Sequence, residues 1–456
     1  MKINSTVRVK VEAGGSGAVA HVGLHALGSF ADRLGLADCL SSRLRAGTKR
    51  SPLHDRGKVL VQTALMLAGG GESCADIEHL RCEEDLFGNV PSDSTVYRAF
   101  HEIDGALRAA VAEAVAEVRR NVWERSAATK RTGPIFLDID GSLVEIHSEN
   151  KESSAPTFKG GFGFHPIFCF ADATGDALSG LLRPGNAGSN TVADHVFVLD
   201  AALAQLPASV QAGHRAGDDP SLVERSVVVR TDSAGSTAGF MAALRNRNIG
   251  FLTVAATNRQ IQAAIMDAEG IEQVWAPALC QDGEPREGAA VCELTDLVDL
   301  SSWPEGTRLI VRREPLHPGA QRSLFPSFEY RYWGFYTDQA GDPVSLDVLM
   351  RAHAHVENHI ERLKQSGLCR FPFTSFEANA AWMAMVLLAA DLVRWFQLLC
   401  FEGYWQSARP KALRWAIFHA PGRIVSSSRQ RIVRILDGWP SAEAILCAYR
   451  RLELIT

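Results

Sequence analysis

The sequence lacks a C-x-x-C pair, an internal repeat, a low-complexity tract and an N-terminal signal pattern. Its nine cysteines are scattered without regular spacing, which excludes a disulfide framework or a zinc ribbon and favours a reducing compartment. Apolar residues make up 46% of the chain and charged residues 22%, and these proportions exclude a disordered or fibrous protein. We therefore expect a folded, cytoplasmic protein.

Long apolar runs are also scarce. The most apolar stretch, residues 380–401, is long enough to span a bilayer, but it contains Asp391 and Arg394, so we expect a buried helix and no membrane partner. The net charge of −5 argues weakly against a general nucleic-acid coat. Residues 394–434 nevertheless contain eight lysines and arginines and one acid, Glu402. Such local patches, and not the net charge, determine contacts with phosphate.

The N-terminal part of the chain has helical periodicity. A length of 456 residues exceeds the usual size of one domain, and we predict that residues 1–130 form a helical domain. Within it, residues 91–98 place a capping turn before a helix whose first turn exposes Tyr97 and Arg98, as in a DNA-recognition helix. A plain capped helix explains this pattern equally well.

From residue 131 onwards, strands and helices alternate as in an α/β domain. Three strand-like runs, two of them joined by a turn at 172–176, precede helix, strand, helix and strand within residues 131–271. Residues 272–342 are predicted to be a β-rich insertion, residues 343–400 complete the core with helices, and residues 401–456 form a helical, basic C-terminal region. The predicted fold is α/β, with a mixed sheet flanked by helices.

Three acidic side chains are predicted to meet at one edge of this sheet. Asp140 ends the first strand and Asp232 directly follows the fourth, and neighbouring strands of an α/β sheet bring such residues together. Glu357 lies on the helix after the insertion. Three carboxylates at close range repel one another unless a cation lies between them, and oxygen ligands favour Mg²⁺ or Mn²⁺. A pair of such ions would suit phosphoryl transfer.

Asp138 competes with Asp140 for the first position, because residues two apart on a strand face the same side. The run 136–142 also fits the opening motif of haloacid dehalogenase-like phosphatases, with Asp138 as nucleophile and Asp140 as acid or base. Such an enzyme needs a lysine before its last acidic motif, and no lysine lies between Arg230 and Lys364. The order of residues therefore argues against a phosphatase.

Two further patterns are less specific. His355 and His359 have a spacing compatible with zinc, but Glu357 lies between them at the wrong place for a metalloprotease motif. Lys159 begins the glycine-rich run 159–165, which is either a loop at the edge of a DNA substrate or a flexible hairpin. Neither pattern by itself identifies a function.

Three motifs resemble those of the DDE transposases of bacterial insertion sequences: LDIDGS at 137–142, RTDSA at 230–234 and HAHVENHIERLK at 353–364. The resemblance covers nearly the whole chain and implies the cut-and-paste branch, which has an RNase H-like core and a β-rich insertion before the catalytic glutamate. It implies that Asp140, Asp232 and Glu357 are the catalytic metal ligands. The family motif Asp-Gly-Ser/Thr favours Asp140 over Asp138.

The last helix departs from the pattern of that branch, which carries a tyrosine, an arginine, the glutamate and a lysine at set intervals. Here Glu357 matches, Lys364 matches one position late, and His353 stands where the arginine would be. The resemblance implies DNA-backbone contacts from Lys364, with Arg351, His353 and Arg362 as substitutes for the missing groups. Arg98 and Lys159 complete the predicted DNA contacts.

The resemblance also implies an activity. It predicts a transposase that uses two Mg²⁺ or Mn²⁺ ions to cleave DNA at terminal inverted repeats and to transfer a strand into target DNA. Coordinated cutting of two ends implies a homodimer on DNA, associated with the nucleoid of a prokaryotic cell. A transposase-derived protein that binds DNA without cutting it is the alternative.

Overall fold

The N-terminal part of the protein is a bundle of helices. A computed structural model describes residues 10, 12, 14–44, 54–130, 132–316 and 330–455. A short strand, β1 (Ala18–Val19), is followed by α1 (Val22–Arg33), α2 (Leu36–Leu44), α3 (Arg56–Ala68), α4 (Glu78–Arg81), α5 (Glu84–Phe87), α6 (Asp93–Glu102) and α7 (Gly105–Arg125). Asp55, Ser92 and Asp104 cap α3, α6 and α7 by accepting hydrogen bonds from backbone N–H groups of the first turn.

A large mixed sheet follows. Its strands and those of a small neighbouring sheet are β2 (Ile135–Gly141), β3 (Val144–Glu145), β4 (Ala155–Pro156), β5 (Phe162–Phe164), β6 (Ile167–Ala171), β7 (Asp176–Leu181), β8 (Val227–Thr231), β9 (Gly250–Ala255), β10 (Ala276–Leu279), β11 (Pro285–Glu293), β12 (Arg308–Pro315) and β13 (Tyr330–Thr337). Over the described ranges, the large sheet has the order β10-β11-β12-β13-β9-β8-β2-β6-β7. β2, β8 and β9 are parallel, and the other pairs are antiparallel. The predicted α/β class with a mixed sheet is confirmed.

Helices lie on both faces of this sheet. The helices that follow the N-terminal bundle are α8 (Val192–Leu203), α9 (Ala208–Gln211), α10 (Ala238–Arg245), α11 (Arg259–Glu269) and α12 (Pro343–Arg351), then α13 (His355–Leu363), α14 (Phe376–Cys400), α15 (Tyr404–Ser407) and α16 (Pro410–Leu413). One core contains α8, α10 and α11, and another contains α12 on the opposite face. The parallel strands are thereby covered on both sides, as such strands require.

The β-rich insertion extends the central sheet instead of forming a separate layer. β13 pairs antiparallel with β9, opposing Phe335 to Val254, and β12, β11 and β10 follow outwards. Residues 317–329, between β12 and β13, lie outside the described residues. The insertion therefore places α12 and α13 next to the central strands.

The apolar stretch forms the central helix α14. By length and composition α14 could cross a membrane, but most of it is buried inside the protein, where it packs in one core with the N-terminal helices. Its acid Asp391 is buried in an ion pair with Arg119 of α7 and accepts a hydrogen bond from the Ala177 N–H at 2.7 Å. A buried carboxylate requires such partners, and Arg119 and the Ala177 N–H supply them for Asp391.

The C-terminal region differs from the helical structure predicted for residues 401–456. It contains a hairpin of β14 (Gly422–Ser427) and β15 (Gln430–Ile435), with β1 paired to β14, before α17 (Ala442–Leu452). Ser428 and Arg429 have φ angles of 50° and 65°, the conformation of a tight two-residue hairpin turn. The β-branched pairs Ile424–Val433 and Val425–Ile432 favour the strands. Because basic residues are frequent in this region, the strand pattern of β14 and β15 was not recognised from the sequence.

Candidate active site

Asp140 and Asp232 lie side by side at the carboxyl ends of two parallel strands. In the register of β2 and β8, Ile139 is opposite Thr231, so that the next residue on each strand is an aspartate. Burial and, secondarily, the charge of Asp232 raise the pKa of Asp140 to about 6, and Glu357 contributes in the same direction. The structure therefore places Asp232 and Glu357 within electrostatic reach of Asp140.

Backbone turns hold one oxygen of each aspartate. The Gly141 N–H donates to Asp140 Oδ1 at 2.7 Å, and the Ala234 and Gly235 N–H groups donate to Asp232 Oδ1 at 2.9 and 3.4 Å. The second oxygen of each carboxylate has no hydrogen-bond donor among the described residues. Both side chains are thus oriented by the chain and keep one oxygen available.

Glu357 is exposed on the first turn of α13 and forms no hydrogen bond or ion pair with the described residues. Within the same part of the chain, no three His, Cys, Asp or Glu side chains are close enough to hold one metal ion. Neither the three predicted carboxylates nor His355 and His359 with a third side chain form such a group in the described residues. Uncompensated carboxylates repel one another, which opposes closer approach. The oxygen-only donor set still fits Mg²⁺ or Mn²⁺ and does not fit zinc.

Asp138, the alternative to Asp140, is fully buried in an ion pair. Arg230 donates to both of its oxygens, from Nε at 2.8 Å and from Nη2 at 2.7 Å. Burial alone would raise the pKa of Asp138, but the hydrogen bond from His353 and the charge of Arg230 together lower it. A carboxylate engaged in this way, with 0% exposure, cannot attack a substrate. The phosphatase role considered for Asp138 is therefore excluded by its surroundings.

The same ion pair anchors the helices that carry Glu357. His353 Nδ1 donates to Asp138 at 2.8 Å, and Arg230 Nη1 donates to the Leu349 carbonyl of α12 at 3.0 Å. Arg230 also pairs with Asp172 at 3.0 Å, which in turn accepts from His355 at 3.0 Å. We call Asp138, Arg230, Asp172, His353 and His355 the anchoring network. It links the sheet to the beginning of α13.

Two of the predicted DNA contacts are engaged by groups of the protein itself. His353 is buried by its bond to Asp138, and its Nε2 atom is enclosed without a partner among the described residues, so it belongs to the anchoring network instead of contacting phosphate. Arg351 donates to Asp347 at 2.9 Å and to the Leu279 carbonyl. Asp347 is itself buried, and this pairing fixes Arg351 within the protein.

The remaining predicted DNA contacts lie far apart along the chain. Arg98 and Lys159 are exposed, on α6 and in the loop after β4. Lys364 is half-buried at the end of α13, and Arg362 donates to the Ser407 carbonyl at 2.9 Å. These four residues remain predictions, because nothing in the protein alone tests them.

Arg230 and Asp172 were missed by the sequence analysis. The signal for Arg230 was present: it lies two residues before Asp232 and therefore on the same face of β8. In the observed register Arg230 is directly opposite Asp138. Asp172 was assigned only to a turn, and its role depends on contacts across the sheet that spacing does not reveal.

Asp140→Asn is expected to stabilise the metal-free protein at about pH 8 and to have little effect at about pH 4. A folded-state pKa near 6, above the ordinary 3.8, means that the contribution of Asp140 to stability is greatest below pH 4 and is lost as the pH rises through 6, by on the order of 3 kcal/mol. The neutral amide removes that loss. Urea unfolding in EDTA at both pH values measures the difference. An equal effect at both would contradict the assigned pKa.

Comparisons with known proteins identify one matching protein family. A family model described as "Transposase DDE domain group 1" matches residues 1–456. No curated protein sequence matches the chain. Among solved structures, a piggyBac transposase synaptic complex with hairpin DNA is similar with a TM-score of 0.36 and 10% sequence identity, over 89% of this chain and 82% of that chain. That structural likeness is too distant to support an argument, whereas the family match extends over every residue.

Proposed function

We propose, on the premise that this chain belongs to the transposase DDE domain group 1 family, that it cleaves DNA at the ends of a transposable element. We further propose that it joins the freed 3′ ends to target DNA. The observation that carries the proposal is the adjacency of Asp140 and Asp232 at the carboxyl ends of β2 and β8, with Glu357 in electrostatic reach.

In this proposal Asp140, Asp232 and Glu357 hold two Mg²⁺ or Mn²⁺ ions. The fit rests on the chemistry of the donors: all are carboxylates, and the pKa of Asp140 is raised first by burial and then by the neighbouring charge of Asp232, which a bound cation would offset. When bound, the ions would activate a water or 3′-hydroxyl and stabilise the leaving oxygen of the phosphodiester.

The protein's own groups orient the ligands. The turn after β8 fixes one oxygen of Asp232, and the Gly141 N–H fixes one oxygen of Asp140. The anchoring network sets the position of α13 and hence of Glu357 relative to the two strands. Such preorganisation limits the movement required when DNA binds.

We propose that the five strands ordered β9-β8-β2-β6-β7 form an RNase H-like core. In this arrangement β2 is central, β6 and β7 continue it as an antiparallel meander, and β8 and β9 are parallel to it. The first two carboxylates then come from adjacent parallel strands. The helical N-terminal domain would read the terminal inverted repeats through α6, whose second turn carries the exposed Arg98.

DNA is the proposed partner, and a homodimer is the proposed active form because two ends must be cut together. Exposed basic side chains support the first part: Lys159 lies in the loop before β5, and the hairpin of β14 and β15 contains four arginines, of which only Arg431 forms an ion pair with a described residue, Asp85. On the outer face of this hairpin Arg423 lies opposite Arg434. Like charges so placed are unfavourable without an anion.

The proposal is tested by incubating the protein with labelled genomic fragments that flank its coding sequence, where inverted repeats would lie. Cleavage at defined positions in Mg²⁺ or Mn²⁺, and none in EDTA, is the expected result. Specific binding without cleavage in any divalent ion would instead identify a DNA-binding protein that no longer cuts. Turnover of a small phosphate ester in place of DNA would contradict the transposase assignment.

A further inference from the structure

A second open site lies beside α13, on a face turned away from Glu357. It is a cavity of about 320 Å³ between this helix and the segment that joins α15 to α16. Basic and polar side chains dominate its lining: His355, Asn358, His359, Arg362, Ser407 and Arg409. Positions 358, 359 and 362 lie on the side of the helix away from position 357. One helix therefore borders both the carboxylates and this cavity.

Two arginines that line the cavity, Arg362 and Arg409, and the nearby Arg394 have no carboxylate partner in an ion pair among the described residues. Burial, and then the charges of Arg394 and Arg409, lower the pKa of Arg362 to about 10. Arg362 and Arg394 donate to the carbonyl oxygens of Ser407 and Thr174, at 2.9 and 2.6 Å. Arg409 is exposed, and in the described part of the chain none of the three forms an ion pair. The charges of Arg362 and Arg409 are consequently not neutralised by an ion pair with another described residue.

His359 is the second unusual feature of the cavity. Its ring stacks on Phe170 at 5.3 Å between centroids, and both of its ring nitrogens are buried without a hydrogen-bond partner among the described residues. A buried polar group without a partner is unfavourable. A ligand with acceptor oxygens would provide a partner for the ring nitrogen that carries the proton.

Two acids also line the cavity, and both are engaged elsewhere. Asp172 pairs with Arg230 and His355 in the anchoring network. Glu361 is exposed and accepts a hydrogen bond from Gln365 at 2.8 Å. Neither carboxylate approaches the guanidinium groups of the cavity closely enough for an ion pair.

We propose that this cavity binds a phosphate group of the DNA backbone. The proposal rests on the proposed function, which makes DNA the partner. It adds a DNA-binding site on the side of α13 that faces away from Glu357. Guanidinium groups match the geometry of phosphate oxygens, and the exposed Arg409 gives access from outside. Because an α-helix is about 10 Å across, a duplex cut at the carboxylates would place a neighbouring phosphate within reach of this cavity.

Arg409→Gln tests the proposal, because Arg409 is exposed and its removal leaves the fold intact. Fluorescence anisotropy with a labelled end-bearing duplex, in EDTA and over a range of KCl concentrations, measures affinity and its salt dependence. The expected result is an affinity about tenfold lower at low salt and a slope of log K against log salt smaller by about one. The matched control is Arg215→Gln, at an exposed position in the loop before β8, which should behave as wild type.

The possible failures are distinguishable. If the wild type binds and cuts DNA but Arg409→Gln has the wild-type slope and affinity, the cavity does not hold backbone phosphate and this inference is overturned. Inorganic pyrophosphate serves as a second probe, by thermal shift. Stabilisation of the wild type but not of Arg409→Gln, in a protein that binds no DNA, would assign the cavity to free phosphates and would also remove the proposed function.

Discussion

Asp232→Asn is expected to reduce DNA cleavage on the order of a thousandfold or more while leaving DNA binding largely unchanged. The amide can keep the turn bonds to Ala234 and Gly235 through its carbonyl oxygen. It removes, however, the negative charge beside Asp140 and a charged oxygen ligand for a divalent ion. Single-turnover cleavage in Mg²⁺ measures the effect.

Asp267→Asn is the matched control, because the side chain of Asp267 is exposed on α11 and forms no hydrogen bond or ion pair with the described residues. The pH dependence of stability tests the electrostatic effect of Asp232 on Asp140. Without the charge of Asp232, the pKa of Asp140 should fall towards its ordinary value, and the loss of stability between about pH 4 and pH 6 should shrink. If the Asp232→Asn variant cleaves DNA at the wild-type rate, Asp232 is not part of the active site.

Arg230→Met is expected to destabilise the protein by about 3–5 kcal/mol, because it leaves the buried carboxylate of Asp138 without its principal partner. Arg230 is 1% exposed and Asp138 is 0% exposed, so water cannot replace the missing charge. Urea unfolding followed by tryptophan fluorescence gives the change in free energy. A loss below about 1 kcal/mol would contradict the importance of this pair.

The double variant Asp138→Leu with Arg230→Met separates stability from positioning. Replacing both partners by apolar side chains should recover most of the lost stability. It should not recover cleavage, because His353 and the Leu349 carbonyl would still lack the groups that hold α12 and α13 to the sheet. Recovery of both stability and cleavage would show that the anchoring network does not position Glu357.

Local signals were sufficient to predict the alternation of strands and helices in the core. Strand-like runs bounded by turn residues predicted β2, β6, β7, β8 and β9, and the single acid at each of two strand ends predicted the pair Asp140 and Asp232. The predicted strands and the adjacency of the two acids are observed because parallel strands end at one edge of a sheet, whatever the details of packing; the catalytic role of the two acids stays a prediction. Glu357 depended on the family motif, since its approach to Asp140 spans more than 200 residues of chain.

Features that depend on contacts across the fold were not predictable. Asp138 looked like a rival ligand until the register placed Arg230 opposite it. His353 looked like a phosphate contact because spacing gives the helix position but not which side chain is enclosed. In the C-terminal hairpin, arginines and pairs of β-branched residues occur at positions that also suit a basic helix. Only the pairing of β14 with β15 and β1 decides between these structures.

The most direct test of the central claim, that Asp140, Asp232 and Glu357 form one metal site, is iron-directed cleavage of the protein itself. Fe²⁺ replaces Mg²⁺ on the DNA-bound protein, and ascorbate with peroxide generates hydroxyl radicals that cut the nearest backbone. Cuts near residues 140, 232 and 357, all suppressed by excess Mg²⁺, are the predicted result. Cuts confined to other segments, or near only one of the three residues, would contradict the shared site.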